Sequence, residues 1–239
     1  MGTRWKGKKY AAIAESNPMS QIVTKLRSSL SLSGAKAMLS GCSLLFEATE
    51  EVADLLDRSC FGREINTSEK GTQWFQFGLE EAFYLHHNLQ AITIVTDEDR
   101  VVDRIELWVY IMSKAPAFPE LYKAYEHLRS KNWVVRSGMQ YGGDFVAYRH
   151  HPALVHSEYV VLVMSEGGDE DNARLRVWSD LQCSLRVSGS VAKTLLVLSI
   201  NKNGSDSGLP SCLEKFNVEE SRIERWVPEQ CREKCQDDD

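Results

Sequence analysis

Two prolines, Pro116 and Pro119, divide this chain. Proline removes a backbone donor and clashes with the turn before it, so a pair this close ends whatever regular structure leads into it. On the N-terminal side the apolar residues switch between helical and strand periodicity. Ser16-Asn17-Pro18 reads as a helix start, with Ile22, Val23, Leu26 and Leu30 as one stripe behind it. Residues 37–48 read as strand, and Thr49-Glu50-Glu51 opens a capped helix carrying Val52, Leu55 and Leu56. A helix over 74–87, a short strand over 91–95 and a helix from Thr96-Asp97 to Tyr110 complete an α/β unit spanning residues 16–115.

On the C-terminal side, Leu121, Tyr122, Tyr125 and Leu128 recur at helical spacing, and strands follow from Trp133, over 145–149 and over 159–164. Leu175, Trp178, Leu181 and Leu185 mark a helix and residues 192–200 a buried strand. Residues 201–211 read as a loose loop, and Arg222 to Val227 as a last strand. The expected fold class is α/β (α+β), with a mixed sheet and packed helices in a second domain over residues 116–230. Residues 1–15 read as a mobile basic arm and 231–239 as an acidic, solvated tail.

Charge narrows the function classes. The 28 basic and 34 acidic residues give a net charge of −6, which lacks the footprint of a chain that binds nucleic acid by itself. Residues 1–36 carry seven cations against Glu15 alone, a local +6 that leaves −12 for the rest. No run of eighteen apolar residues exists and no apolar stretch follows the basic N-terminus, so a soluble intracellular protein is expected. The six cysteines then read as free thiols; Cys231 and Cys235 have zinc-like proximity but no second ligand pair. The pairs His86-His87 and His150-His151 diverge on any regular element and read as surface or packing residues.

No Gly-x-Gly-x-x-Gly turn, P-loop or Gly-x-Ser-x-Gly elbow occurs. The remaining candidate runs from Tyr141-Gly142-Gly143-Asp144-Phe145-Val146-Ala147-Tyr148 to His156-Ser157-Glu158-Tyr159, with Ser190-Val191-Ala192-Lys193-Thr194 further on. These segments resemble the C-terminal domain of tRNA-splicing endonucleases, which pair a Tyr and a His on neighbouring strands with a Lys at the start of a later one. The spacing matches the eukaryotic catalytic type assigned to the 5′ splice site. The resemblance covers roughly residues 119–228, and the N-terminal unit more weakly.

The resemblance implies RNA cleavage by attack of a 2′-hydroxyl on its own phosphate, leaving a 2′,3′-cyclic phosphate and a 5′-hydroxyl. It implies Tyr148 as base, His156 as acid and Lys193 as electrostatic stabiliser. A free tyrosine has a pKa of about 10, so chemistry alone also permits His156 as the base. Tyr141 reads as structural, because Gly142 and Gly143 follow it. The resemblance further implies that Arg186 and Trp226 sandwich an unpaired intron base, a pairing suited to stacking and to cation–π attraction.

Asp144 and Glu158 suggest a competing class, metal-dependent nucleases with an Asp and a Glu-x-Lys. Val160 stands where that lysine belongs, so a metal-free reaction with no cofactor is expected. The other competing reading is a non-catalytic structural subunit of the same complex. The partners implied are precursor tRNA, a second catalytic subunit and two structural subunits in a heterotetramer, with no membrane span. The nucleus is the implied location. With the chain acidic overall, RNA is expected to be held mainly by the assembly, with Arg149, Arg186, Lys193 and the basic arm as local contributors.

Overall fold

The structure, a computed structural model, describes residues 3–65, 73–165, 175 and 177–224. Two five-stranded mixed sheets organise it. The first comes from β1 (Lys36–Ser40), β2 (Ser43–Ala48), β3 (Arg63–Ile65), β4 (Gln73–Phe77) and β5 (Thr93–Val95), in the order β3-β4-β2-β1-β5. Its pairings are antiparallel except β1 with β5. The second comes from β6 (Val134–Ser137), β7 (Phe145–Tyr148), β8 (Tyr159–Ser165), β9 (Thr194–Asn201) and β10 (Asn217–Ile223), in the order β10-β9-β8-β7-β6. There only β8 and β9 run parallel. The helices are α1 (Lys8–Ser16), α2 (Met19–Ser33), α3 (Glu50–Ser59), α4 (Leu79–Phe83), α5 (Arg104–Lys114), α6 (Phe118–Ser130) and α7 (Trp178–Ser190). Among the described residues no helix is long and apolar enough to cross a membrane.

Local chemistry sets several boundaries. Ile22, Leu26 and Leu30 form the buried face of α2, which ends where Gly34 turns left-handed at φ 59°. Thr49 caps α3 through a bond from the Val52 amide. The helix expected over 74–87 splits: Trp74 to Phe77 belong to β4, and helix begins only after Gly78, whose amide donates to the Glu81 carboxylate at 3.0 Å. The helix expected from Thr96 begins instead at Asp103, whose Oδ1 accepts from the Ile105 and Glu106 amides at 2.7 and 2.8 Å. Residues 96–100 form a tight turn with Asp99 at φ 58°.

Three further expectations need correction. Residues 3–15 are not a free arm: Trp5 makes an antiparallel bridge with Val155, and α1 starts at Lys8. The loop over 201–211 is anchored, because the Trp108 indole donates to Ser207 O at 2.9 Å and Pro210 is buried. The last strand begins at Asn217, and Arg222 sits near its end opposite Leu196. The acidic tail lies outside the described residues. Cys42, Cys60, Cys183 and Cys212 are free thiols.

Pro119 enters the first turn of α6, where its missing amide needs no partner. The core nevertheless runs across that point. Phe83 packs edge-on to Phe118 and Tyr122, with ring centroids 5.6 and 4.7 Å apart, while Tyr125 reaches Phe145 of the second sheet at 6.0 Å. One hydrophobic cluster therefore extends from Leu26 of α2 to Leu198 and Ile200 of β9, with α6 packed on the second sheet and on α4, which in turn packs on β2 of the first.

The turn carrying Tyr141 is folded tightly onto β7 and β8. Gly142 holds φ 70°, and a Cβ on Gly143 would stand 2.6 Å from Val160 Cγ1 and 2.9 Å from Val161 O. Gly143→Ala is therefore expected to lower unfolding free energy by about 2–3 kcal/mol, read as a shifted denaturation midpoint. An unshifted midpoint would show that the β8 edge moves aside freely.

Candidate active site

Sheet register assembles the site. Ala147 of β7 pairs with Tyr159 of β8, and Tyr159 pairs with Thr194 of β9. The Glu158 amide donates to Ala147 O at 2.9 Å, and the Thr194 amide to Glu158 O at the same distance. The end of β7 and the starts of β8 and β9 thus meet at one end of the sheet. Tyr148 is the last residue of β7, Lys193 precedes the first of β9, and His156 lies on the loop entering β8. The parallel β8–β9 pair is what brings Lys193 to the same end as Tyr148, since an antiparallel β9 would start at the opposite edge.

The side chains sit in different surroundings. The Tyr148 ring is half-buried between the Val146–Val160 cluster and a second cluster of Met19, Ile22 and Val134. Burial pushes its phenol above the ordinary value of 10, with Tyr141 adding to the rise, while a hydrogen bond with buried Ser157 and the charge of Arg136 oppose it. His156 is exposed, and its amide donates to Arg4 O at 3.1 Å. The Lys193 ammonium stands 4.2 Å from the Tyr141 ring centroid, a cation–π distance, and 3.5 Å from Val191 O. Burial, and then the charge of Arg4, lower the Lys193 pKa from its ordinary value. Among the described residues Lys193 forms no salt bridge, and the charged group beside it is another cation, Arg4.

Two contacts beside Lys193 went unread in the sequence. Tyr141 reads as structural in the sequence, and the structure adds that its ring face lies beneath the Lys193 ammonium. Arg4 donates to Ala192 O at 2.7 Å, next to Lys193. Neither had a local signal, since both contacts close long loops.

The carboxylates that suggested a metal nuclease are each engaged by protein groups. Asp144 Oδ2 accepts from the Val163 amide at 2.8 Å. Glu158 accepts from the Thr3 hydroxyl at 2.7 Å and from Arg149 Nε at 3.3 Å. Arg149 also lies 3.8 Å from the Trp133 ring centroid, so it is a less free RNA contact than its sequence position suggests.

Comparison with known proteins decides the family. Residues 118–207 match the tRNA intron endonuclease catalytic C-terminal domain, and residues 35–108 match the tRNA intron endonuclease N-terminal domain. The chain belongs to the tRNA intron endonuclease family. It is 53% identical to tRNA-splicing endonuclease subunit Sen2-2 of Arabidopsis thaliana over 235 residues, 98% of this chain and 92% of that protein. It is 31% identical to tRNA-splicing endonuclease subunit Sen2 of Mus musculus over 161 residues, 65% of this chain and 35% of that protein. It is also 34% identical to the tRNA-splicing endonuclease of Saccharolobus solfataricus over 134 residues, 54% of this chain and 73% of that protein.

In this tRNA intron endonuclease chain Arg186 is exposed on α7. Trp226, its expected partner, lies outside the described residues, as does the Cys231–Cys235 pair. His86 and His150 are the packing histidines the sequence suggested. Their rings lie against Ile92 O at 3.1 Å and Asn17 O at 2.8 Å.

Proposed function

We propose that this chain is the endoribonuclease subunit that cuts precursor tRNA at the 5′ splice site, without metal, to give a 2′,3′-cyclic phosphate and a 5′-hydroxyl. The observation that carries the reading is the convergence of the Tyr148, His156 and Lys193 segments on one end of the second sheet, with the Lys193 ammonium over the Tyr141 ring.

In the reaction the 2′-oxygen forms a bond to phosphorus as the bond to the 5′-oxygen breaks. One proton leaves the 2′-hydroxyl and one arrives on the 5′-oxygen. Tyr148 accepts the first, His156 supplies the second, and Lys193 offsets the charge on the non-bridging oxygens. One observation favours a second assignment: burial raises the Tyr148 phenol above its ordinary value, which works against its serving as phenolate. His156 as acceptor with neutral Tyr148 as donor involves the same total number of protons, so a pH profile does not separate the two.

A substrate with sulfur replacing the bridging 5′-oxygen does separate them, because a thiolate leaves without a donor. His156→Ala is expected to be strongly impaired on ordinary precursor and largely restored on the sulfur substrate. Restoration of Tyr148→Phe instead would reverse the roles. If both variants cleave ordinary precursor at the wild-type rate, the structural-subunit reading takes its place. Cleavage that persists in EDTA supports the metal-free route.

Arg186 and Trp226 are proposed as the clamp on an intron base, with Trp226→Ala expected to impair the 3′ cut more than the 5′ cut. The assembly is proposed to be a heterotetramer with a second catalytic and two structural subunits, in the nucleus. β10 supports association with another chain: among the described residues it is the edge strand of its sheet, and an edge offers backbone donors and acceptors.

A further inference from the structure

We propose that residues 3–6 form a strap that positions the active site, with Arg4 as the residue that ties the His156 loop to the Lys193 turn. The inference rests on the catalytic reading above and goes beyond it, to residues outside both matched domains.

Four ties fasten the strap. The Lys6 amide donates to Leu154 O at 3.0 Å and the His156 amide to Arg4 O at 3.1 Å, a two-bond antiparallel ladder centred on the Trp5–Val155 bridge. The Thr3 hydroxyl donates to Glu158 Oε1 at 2.7 Å, and the Arg4 guanidinium to Ala192 O at 2.7 Å. The first three land on the loop between β7 and β8, where His156 otherwise lies outside either strand's ladder. The fourth lands on the turn between α7 and β9.

That turn needs holding. Ala192 sits at φ 51°, a left-handed conformation unfavourable for a residue with a Cβ, and it immediately precedes Lys193. Its carbonyl is where Arg4 attaches. A guanidinium bond to a carbonyl is charge-assisted and directional, so it fixes the turn in the orientation that places the lysine ammonium over Tyr141. One residue therefore grips the His156 backbone through its own carbonyl and the Lys193 backbone through its side chain. Arg4 is itself exposed, so its removal leaves no cavity.

The test uses the full chain in its assembled endonuclease, with an intron-containing precursor tRNA. It measures the single-turnover cleavage rate, the precursor dissociation constant and the unfolding midpoint. Arg4→Ala is expected to slow cleavage about tenfold, the scale of one charge-assisted hydrogen bond, with affinity changed less than about twofold and the midpoint unmoved. Arg4→Lys is expected to recover most of the rate, since an ammonium also reaches a carbonyl. A wild-type rate for Arg4→Ala overturns the proposal, as does a rate loss matched by lost affinity, which would make Arg4 a phosphate contact. A parallel fall in the midpoint overturns it too, as a purely structural role. Lys193→Ala is the control: if it still cleaves, the catalytic reading fails. If it is inactive while Arg4→Ala is normal, only the strap fails.

Discussion

Replacing Lys193 by alanine in the assembled enzyme is expected to slow precursor cleavage by about 10³-fold while leaving the folded protein intact. The ammonium is partly sheltered from water, rests on the Tyr141 ring and makes no salt bridge among the described residues. In the proposed role a charge held in that way would stabilise the developing phosphorane without first having to break with a carboxylate, and removing one such group typically slows a reaction by about two to three orders of magnitude. The site is at a strand start near the surface, so the unfolding midpoint should move by no more than about 1 °C, in line with surface substitutions. Single-turnover rates and thermal melts on the same preparation check both halves. A rate within about tenfold of wild type would remove Lys193 from the chemistry.

Arg129→Ala is expected to have the largest effect on stability, about 3–5 kcal/mol, with a fall in melting temperature on the order of 10 °C. Arg129 is buried on α6, where its guanidinium donates to Tyr125 Oη at 2.9 Å, Ser59 O at 3.2 Å and Cys60 O at 2.9 Å. It also stacks 4.0 Å from the Phe61 ring centroid. The two carbonyls belong to the end of α3, where the helix runs out of its own donors and Cys60 turns left-handed at φ 57°. Alanine deprives both carbonyls and the phenol of this donor. Lysine restores the charge but not the planar fork, so Arg129→Lys should recover less than half the loss. Chemical denaturation of the three proteins measures this, and a loss below about 1 kcal/mol for alanine would mean that water enters to replace the guanidinium.

What the sequence revealed and what it hid follow the range of the interactions. The α2 stripe, the Thr49 cap and the strands at 145 and 159 rest on neighbours a few residues apart, and they read correctly. Trp74 to Phe77 misled because an apolar run entering a helix looks helical; the decisive fact is its pairing with β2, which is not local. Asp97 and Asp103 both resemble caps, and only the turn closed by the Thr96 amide on Arg100 O, in one of its hydrogen bonds, selects the second. In the candidate site, Tyr148, His156 and Lys193 are named from the resemblance of the surrounding block to a known family, and what the sheet register adds is that their segments lie at one end. The contacts of Tyr141 and Arg4 were not legible, since a ring below an ammonium and a guanidinium on a carbonyl leave no pattern in residue order.

The parallel β8–β9 pairing has a kinetic corollary. Antiparallel neighbours such as β6 and β7 zip through a short turn, but a parallel partner waits until the whole crossover, here including α7, has been laid down and packed. Long-range closure of this kind is slow and comes after local structure. Tyr148 and Lys193 therefore remain apart in every partly folded form that lacks β9. On the proposed catalytic roles, a chain still emerging from synthesis would carry no cleaving centre, and competence to cut RNA would arise together with the completed sheet.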